Sequence, residues 1–204
     1  MKKYRVAKIN KFDNRTWQKI DRIDSFISPW LESYFPKTNF QACHDEQNLY
    51  FKFEAIDNDI KINQASTDKM AVNDSDRVEL FFSADQDLKN YYCLEMAPCG
   101  KVMDFEASYP KNMNFHWSWP KGQISIHTEM NDGGYVVHGW VSLSSLEKLN
   151  VLIDNQIMTG IFRANCIKYN PGHSEFEWIS WVNPNTEKPD FHRPSAFGLL
   201  CLQS

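Results

Sequence analysis

The stretch that decides the fold is YYCLEMAPCGKVMDFEA, residues 91–107. On both sides of its centre, apolar and polar residues alternate, which is the period-two pattern of a β-strand. The centre itself is Pro98-Cys99-Gly100. Proline fixes one backbone angle and glycine tolerates positive φ, so this tripeptide is typical of a tight turn. Together the two features predict a β-hairpin.

The same alternation recurs along much of the chain. It is clear in residues 49–55 and 77–82, and turn residues such as Asn131–Gly134 and Asn170–Gly172 end other segments of this kind. Further strands are predicted at about residues 38–44, 124–130, 134–142, 159–168, 177–182 and 196–202. About nine or ten strands with little helix favour an all-β sandwich of two sheets.

One short helix is predicted at residues 142–149, SLSSLEKL. A serine there suits the N-cap, and leucines recur at helical spacing. The whole chain, residues 1–204, is predicted to be a single domain, since sandwiches often reach this length. Within it, residues 1–37 are an N-terminal lead-in, and the part from 21 to 35 is expected to pack on the sandwich.

Charge and hydropathy exclude several classes of partner. The net charge is −4 and no run of Lys or Arg exceeds two residues, so nucleic acid is not an expected partner. No continuous apolar segment follows the basic start, MKKYRVAKIN, which predicts neither a secretory signal nor a membrane span and places the chain as written in the cytoplasm. The five cysteines are odd in number and scattered, which favours buried thiols over a disulfide framework. The oligomeric state stays open.

Several segments, taken in order and spacing, carry a resemblance to a known family. They are DRVELFFSAD, YYCLEMAPCGKVMDFEASY, GYVVHGWVSLSSL, GIFRAN, WISWVNP and PDFHRPSAFGLLCL. From about Phe40 to the C-terminus, the chain resembles the carbohydrate-binding modules of family 9. The resemblance implies an immunoglobulin-like or jelly-roll β-sandwich that binds sugars without catalysis, often at the ends of plant polysaccharides. It also implies association with xylanases, structural calcium and a location outside the cell.

The resemblance also marks individual positions. In the family, two aromatic side chains hold a sugar ring while charged and amide groups bond its hydroxyls. Phe191 lies where the resemblance places one aromatic, and Glu79 where it places an acidic ligand. At the second aromatic position the chain has Asn73, and Cys93 stands where a sugar-binding arginine is expected. The family's ligand specificity therefore does not carry over to this chain.

The chemistry of a sugar points to a wider set of residues. A sugar has C–H bonds on its ring faces and hydroxyls on its edge, so recognition needs aromatic planes and polar groups around them. Phe191, in a loop with Pro189 and Pro194, is predicted to be exposed. Trp178 and Trp181 are three apart on a strand and face opposite layers, so at least one belongs to the core. The predicted ligand-binding residues are Phe191, Trp117, Trp119, Trp181, Glu79, Glu95, Arg77 and Arg163.

A xylanase-like glycoside hydrolase is one alternative function. Glu79 and Glu95 lie on the polar faces of strands expected to be neighbours, so their carboxylates converge on one side of the sheet. Two carboxylates at suitable spacing are the machinery of a glycosidase. The plainer interpretation is that both are solvated or paired with an arginine, either Arg77 or Arg163.

Three more hypotheses concern ligands and partners. Oxygen-rich turns suggest structural calcium at Asp57, Asp59, Asp85 and Asp87, although such turns more often bond only their own backbone. A haem held between a Met and a His would use His173 or His192 with Met96 or Met103. No Cys-x-x-Cys-His motif accompanies them. Finally, Asn73 at an aromatic position suggests an interaction module that has lost sugar binding.

Overall fold

The computed structural model describes residues 1–13, 15–31 and 34–204, which form thirteen strands and one α-helix. The strands are β1 (Lys3–Lys8), β2 (Thr38–His44), β3 (Asn48–Ile56), β4 (Arg77–Ser83), β5 (Tyr91–Met96), β6 (Val102–Ser108), β7 (Asn112–Asn114), β8 (Ile124–Asn131), β9 (Gly134–Ser142), β10 (Leu152–Ile153), β11 (Gln156–Lys168), β12 (Glu175–Ser180) and β13 (Gly198–Leu202). The helix is α1 (Leu143–Lys148), and short 3₁₀ helices span Thr16–Lys19, Lys69–Asp74 and Pro194–Ala196.

The strands form two sheets that share β1. The first sheet has the order β7-β6-β5-β4-β11-β13-β1, and the second has the order β1-β2-β3-β9-β8. β10 and β12 also pair with β11. β1 runs parallel to β13 through residues 3–6 and parallel to β2 through residues 7 and 8, so it passes from one sheet to the other. The predicted all-β, two-sheet sandwich is confirmed.

Local predictions at the hairpin and the helix are confirmed as well. β5 and β6 pair in antiparallel register across the turn, where Gly100 has a φ of +85°. A residue with a Cβ would be strained in that conformation. At the start of α1, the Ser142 hydroxyl accepts a hydrogen bond from the Ser145 backbone N–H at 3.1 Å, which is an N-cap.

The lead-in contributes a strand that the sequence analysis missed. In β1, Tyr4 and Val6 are buried while their neighbours Lys3 and Arg5 are exposed. This is a strand alternation, although the basic residues make the segment look polar. Further along, Ile23 pairs with Phe40 and joins the core. That residues 1–204 are a single domain stays a prediction.

Two apolar clusters hold the sandwich together. The larger lies between the sheets and includes Phe51 and Phe53 from β3, and Leu80 from β4. The smaller lies on the outer face of the first sheet, beneath residues 183–197, hereafter the cover segment. Both faces of the first sheet are thus covered, and every residue of β4 is buried. The cover segment encloses a cavity against this outer face.

The cysteines and the helices bear on two expectations from the sequence, buried thiols and the lack of a membrane span. All five cysteines are free thiols, and three of them are buried. No helix in the described part of the chain has the length and hydropathy needed to cross a bilayer.

Candidate functional site

A cavity of about 250 Å³ lies between the outer face of the first sheet and the cover segment. Its lining includes Arg77, Glu79, Glu95, Trp178 and Phe191, and it is hereafter the Arg77 pocket. Pockets for drug-sized ligands typically have volumes of roughly 300–1,000 Å³. The Arg77 pocket is smaller, so it suits a ligand of about one ring.

The floor of the pocket is a buried cluster of three charges. Arg77 and Glu79 are two residues apart on β4 and so share a face, and Glu95 on β5 is the direct cross-strand partner of Glu79. The three residues are only 5%, 2% and 4% exposed, respectively. Nε of Arg77 donates a hydrogen bond to Oε1 of Glu79 at 2.9 Å, and Oε2 of Glu95 lies 2.7 Å from the same nitrogen.

The Nε atom of Arg77 lies at ion-pair distance from both carboxylates. The Arg77 Nε–H points to Glu79, and Oε2 of Glu95 accepts no hydrogen bond from the described residues although it is buried. A buried carboxylate oxygen without a donor is costly, so it marks a place where a ligand can donate. The floor therefore offers an unused acceptor beside a fixed cation.

Aromatic rings and backbone carbonyls fix the guanidinium of Arg77. Its central carbon lies 5.0 Å from the ring centroid of Phe176 and 5.4 Å from that of Trp178, within cation–π range. Nη1 also donates to the carbonyl of Asn73 at 3.3 Å. These contacts orient Arg77 and hence the two carboxylates that it contacts.

Burial controls the protonation of the floor. Burial, followed by repulsion from Glu95, raises the pKa of Glu79, whereas Arg77 opposes the increase. Burial also raises the pKa of Glu95, again against the effect of Arg77. Because the two carboxyls interact closely, they titrate as a pair. Arg77 stays charged throughout the physiological range.

The walls of the pocket are aromatic. Phe191 stacks on Phe162 with ring centroids 4.1 Å apart and an angle of 8° between planes, and it meets Trp178 edge to face at 5.4 Å. Phe191 is 4% exposed, so the prediction that it is exposed is wrong. The cover segment turns its ring inward, where it lines the pocket without being open to water. Phe115 and Trp178 are the half-buried aromatics of the lining.

The remaining polar groups lie along the sides. His192 has Nδ1 3.0 Å from the Tyr91 hydroxyl. Burial, followed by the charge of Lys111, lowers the pKa of His192 to about 4, so its ring is neutral at physiological pH. Nζ of Lys111 pairs with Oδ1 of Asp190 at 3.1 Å. On the sides of the pocket, His192 is neutral, and the charges of Lys111 and Asp190 offset each other.

The family of the chain follows from a direct comparison. A family model described as carbohydrate family 9 binding domain-like matches residues 11–204. The chain belongs to this family. No curated protein sequence matches the chain.

Solved structures resemble the chain over nearly its whole length. A provisionally assigned carbohydrate-binding protein from Bacteroides uniformis has a TM-score of 0.79 at 16% identity, with 99% of each chain covered. A family 9 module from Caldicellulosiruptor kristjanssonii, solved with glucose, has a TM-score of 0.58 at 15% identity and covers 99% of this chain and 96% of its own. The same organism's module with cellotriose gives a TM-score of 0.64 at 16% identity, covering 99% and 94%. At these identities the likeness establishes the fold alone.

The positions marked by the family 9 resemblance lie close together in this structure. Asn73 and Glu79 lie six residues apart, Phe191 comes from a distant part of the chain, and all three line the Arg77 pocket. Cys93 does not line the cavity but is fully buried in the adjacent apolar cluster. Arg77 and Glu95, predicted from their residue types, belong to the same floor as Glu79.

Two predicted tryptophans lie outside the pocket. Trp119 is buried between the sheets, where its Nε1 donates to the Ser145 hydroxyl at 3.1 Å. Trp117 packs on Tyr92, with ring centroids 5.0 Å apart, and borders the same core. Phe115, which lies in the turn at residues 115 and 116, faces the pocket instead. The predicted ligand role of Trp117 and Trp119 is not supported by their positions.

Trp181 and Arg163 face away from the pocket as well. Trp181 is buried in the core between the sheets, whereas Trp178 faces the pocket, as the strand alternation predicts. On β11, Phe162 is the partner of Glu79 and shares its face, so Arg163 points to the opposite face. There its Nη2 pairs with Oδ2 of Asp57 at 2.9 Å. Arg163 is a structural cation of the interior.

The aspartates predicted as calcium ligands do not form a cluster. They are Asp57, Asp59, Asp85 and Asp87. Asp57 is held by Arg163, and Asp59 pairs with Lys61 at 2.7 Å. In residues 1–13, 15–31 and 34–204, no group of three or more His, Cys, Asp or Glu side chains could hold a metal ion. Calcium needs six to eight oxygens, and the structure does not bring these four residues together for it.

The haem hypothesis does not fit the cavity. His192 and Met103 both line the Arg77 pocket, but Met96 lies between the sheets and His173 is exposed in a turn. A cavity of about 250 Å³ is below the size used by drug-sized ligands and is too small for a macrocycle.

No specific feature of the described residues favours the hydrolase hypothesis. Glu79 and Glu95 do converge, as predicted, but both contact Arg77, which matches the plainer interpretation of arginine-paired carboxylates. The hypothesis of an interaction module without sugar binding also stays a prediction.

Several lining residues were missed by the sequence analysis. Phe105 lies on the same face of β6 as Met103, which the sequence analysis considered only as a haem ligand. Phe115 lies two residues before Trp117, which drew attention by its size. The motif FHWSWP alone does not say where its turn falls, so it could not identify Phe115 as the lining residue.

Proposed function

We propose that this family 9 domain binds carbohydrate in the Arg77 pocket without catalysing a reaction. The observation that carries the proposal is that three of the four positions marked by the family resemblance, Asn73, Glu79 and Phe191, line one cavity. A cavity between a strand face and a loop is also the usual location of a small-ligand site.

The chemistry of the lining fits a sugar. Glu79 and Glu95 provide acceptors for ring hydroxyls, and Arg77 holds both in place. Phe115 and Trp178 provide apolar surface for the C–H groups of a ring. Charge-assisted hydrogen bonds from hydroxyl to carboxylate are stronger than neutral ones, so a buried pair of carboxylates suits a polyol.

The size of the pocket favours the end of a glycan chain. About 250 Å³ accommodates one ring, so the proposed ligands are oligosaccharides or polysaccharide ends of plant type. The Caldicellulosiruptor modules, solved with glucose and cellotriose, support testing gluco-oligosaccharides first. Xylo-oligosaccharides are the second class, since the family resemblance implies association with xylanases.

Isothermal titration calorimetry with glucose, cellotriose and xylotriose tests the proposal. Binding should be modest, because each aromatic contact contributes only about 1 kcal/mol. Phe115→Ala should weaken binding about fivefold, because it removes one such contact. Phe12→Ala is the matched control, since Phe12 is also half-buried but stacks on Tyr50 outside the pocket. The absence of heat with all three sugars at millimolar concentration would refute the proposal.

A hydrolysis assay separates binding from catalysis. The purified protein should release no reducing sugar from xylan or from an aryl glycoside. Turnover that Glu79→Gln abolishes would replace the proposed binding function by a hydrolytic one. A calcium titration of the same preparation, followed by thermal unfolding, tests the structural calcium that the family resemblance implies.

A further inference from the structure

We infer that the Arg77 pocket prefers an amino sugar, whose ammonium group supplies a positive charge, over a neutral sugar of the same shape. This inference rests on the proposed function of the same pocket. It concerns the chemical class of the ligand and follows from charge and hydrogen bonding on the pocket floor.

The charged groups of the lining are out of balance. Lys111 and Asp190 pair with each other at 3.1 Å on the side of the pocket. On the floor, Arg77 lies between Glu79 and Glu95, and no other cation among the described residues pairs with either carboxylate. Two buried carboxylates with one guanidinium leave one negative charge without a partner, and a buried charge is stable only when it is paired.

The missing partner has a defined position. Glu95 lines the pocket, and its buried Oε2 lies 2.7 Å from Arg77 Nε without accepting a hydrogen bond from the described residues. The Arg77 Nε–H points to Glu79, so Arg77 and Glu95 form an ion pair without an aligned hydrogen bond. A ligand hydroxyl would supply one donor without charge. An ammonium group would supply three donors together with the charge.

In the absence of a cationic ligand, a proton on one of the two carboxyls can neutralise the extra negative charge. Burial raises the pKa of both carboxyls, which is the expected response of a pair with too little positive charge. A neutral sugar leaves that proton in place. An amino sugar displaces it, so both carboxylates then act as ionised acceptors.

A comparison of three sugars on the intact chain tests the inference. The ligands are glucosamine, N-acetylglucosamine and glucose, titrated by calorimetry at neutral pH. Glucosamine should bind about tenfold more tightly than either neutral sugar, because hydrogen bonds between charged groups are stronger than neutral ones. Glu95→Gln should reduce this ratio to about two or less, since it removes the unpaired charge. Glu129→Gln, which changes an exposed carboxylate on the second sheet, should leave the ratio unchanged.

The outcomes separate the inference from the proposed function. Equal affinity for glucosamine and glucose would overturn the inference and leave carbohydrate binding intact. A preference that survives in Glu95→Gln and in Glu79→Gln would overturn the assignment of that preference to the floor. Failure to bind any of the three sugars or cellotriose would overturn the proposed function itself. The three-sugar comparison on the unmodified chain remains decisive even where a variant fails to fold.

Discussion

Truncation of Phe191 tests whether this ring supports the pocket from within. The ring is 4% exposed, stacks on Phe162 at 4.1 Å and meets Trp178 at 5.4 Å. Replacing a buried Phe by Ala costs about 3–5 kcal/mol, because apolar contacts are lost and a cavity remains. Phe191 lies on a loop that can partly collapse, so we expect the lower end, about 3 kcal/mol. For a chain of this size, that corresponds to a decrease in Tm of about 6–12 °C.

Urea and thermal unfolding of Phe191→Ala measure this loss. Phe191→Leu is the control, since it keeps an apolar side chain and should cost only about 1–2 kcal/mol. An exposed aromatic at the same position would change the free energy of unfolding by only about 0.5 kcal/mol. A loss of that smaller size in Phe191→Ala would refute the buried position and restore the expectation of an open stacking ring.

Three other predictions concern the interior, a predicted ligand residue and pH. Arg163→Met should lower the free energy of unfolding by about 3 kcal/mol in urea, because the Asp57 carboxylate loses its buried partner. Sugar affinity should persist in the folded variant, and a parallel loss of affinity would contradict the opposite-face placement. Trp117→Ala should leave calorimetric sugar affinity unchanged, whereas a fivefold loss would return Trp117 to the site. The raised pKa of Glu79 means that the folded state binds more protons than the unfolded state. The stability that Glu79 contributes is therefore complete below its ordinary pKa of about 4.3 and is lost as the pH rises through the raised pKa. Urea unfolding from about pH 5 to about pH 9 should therefore show a decline that is smaller in Glu79→Gln, and equal slopes would count against the buried pair.

Much of the pocket floor could be predicted from the sequence. The alternation in residues 77–82 and 91–96 places Arg77, Glu79 and Glu95 on one set of strand faces. Residue type then indicates that opposite charges will pair when such strands are neighbours. The structure agrees, because β4 and β5 do pair and Glu79 is opposite Glu95.

Other parts of the site depend on contacts between distant segments. The register of β4 against β11 places Arg163 on the face opposite Glu79, and no local pattern encodes that register. The same limit applies to the cover segment, which buries Phe191 by folding over a sheet whose strands come from elsewhere in the chain. A loop rich in proline indicates exposure only when nothing folds beneath it.

A crystal structure of the chain with cellotriose tests the central claim most directly. We predict one sugar ring in the Arg77 pocket, with hydroxyls within about 3 Å of the Glu79 and Glu95 carboxylates and the ring against Phe115 or Trp178. Sugar density on the outer face of the second sheet, with the Arg77 pocket empty, would contradict the account.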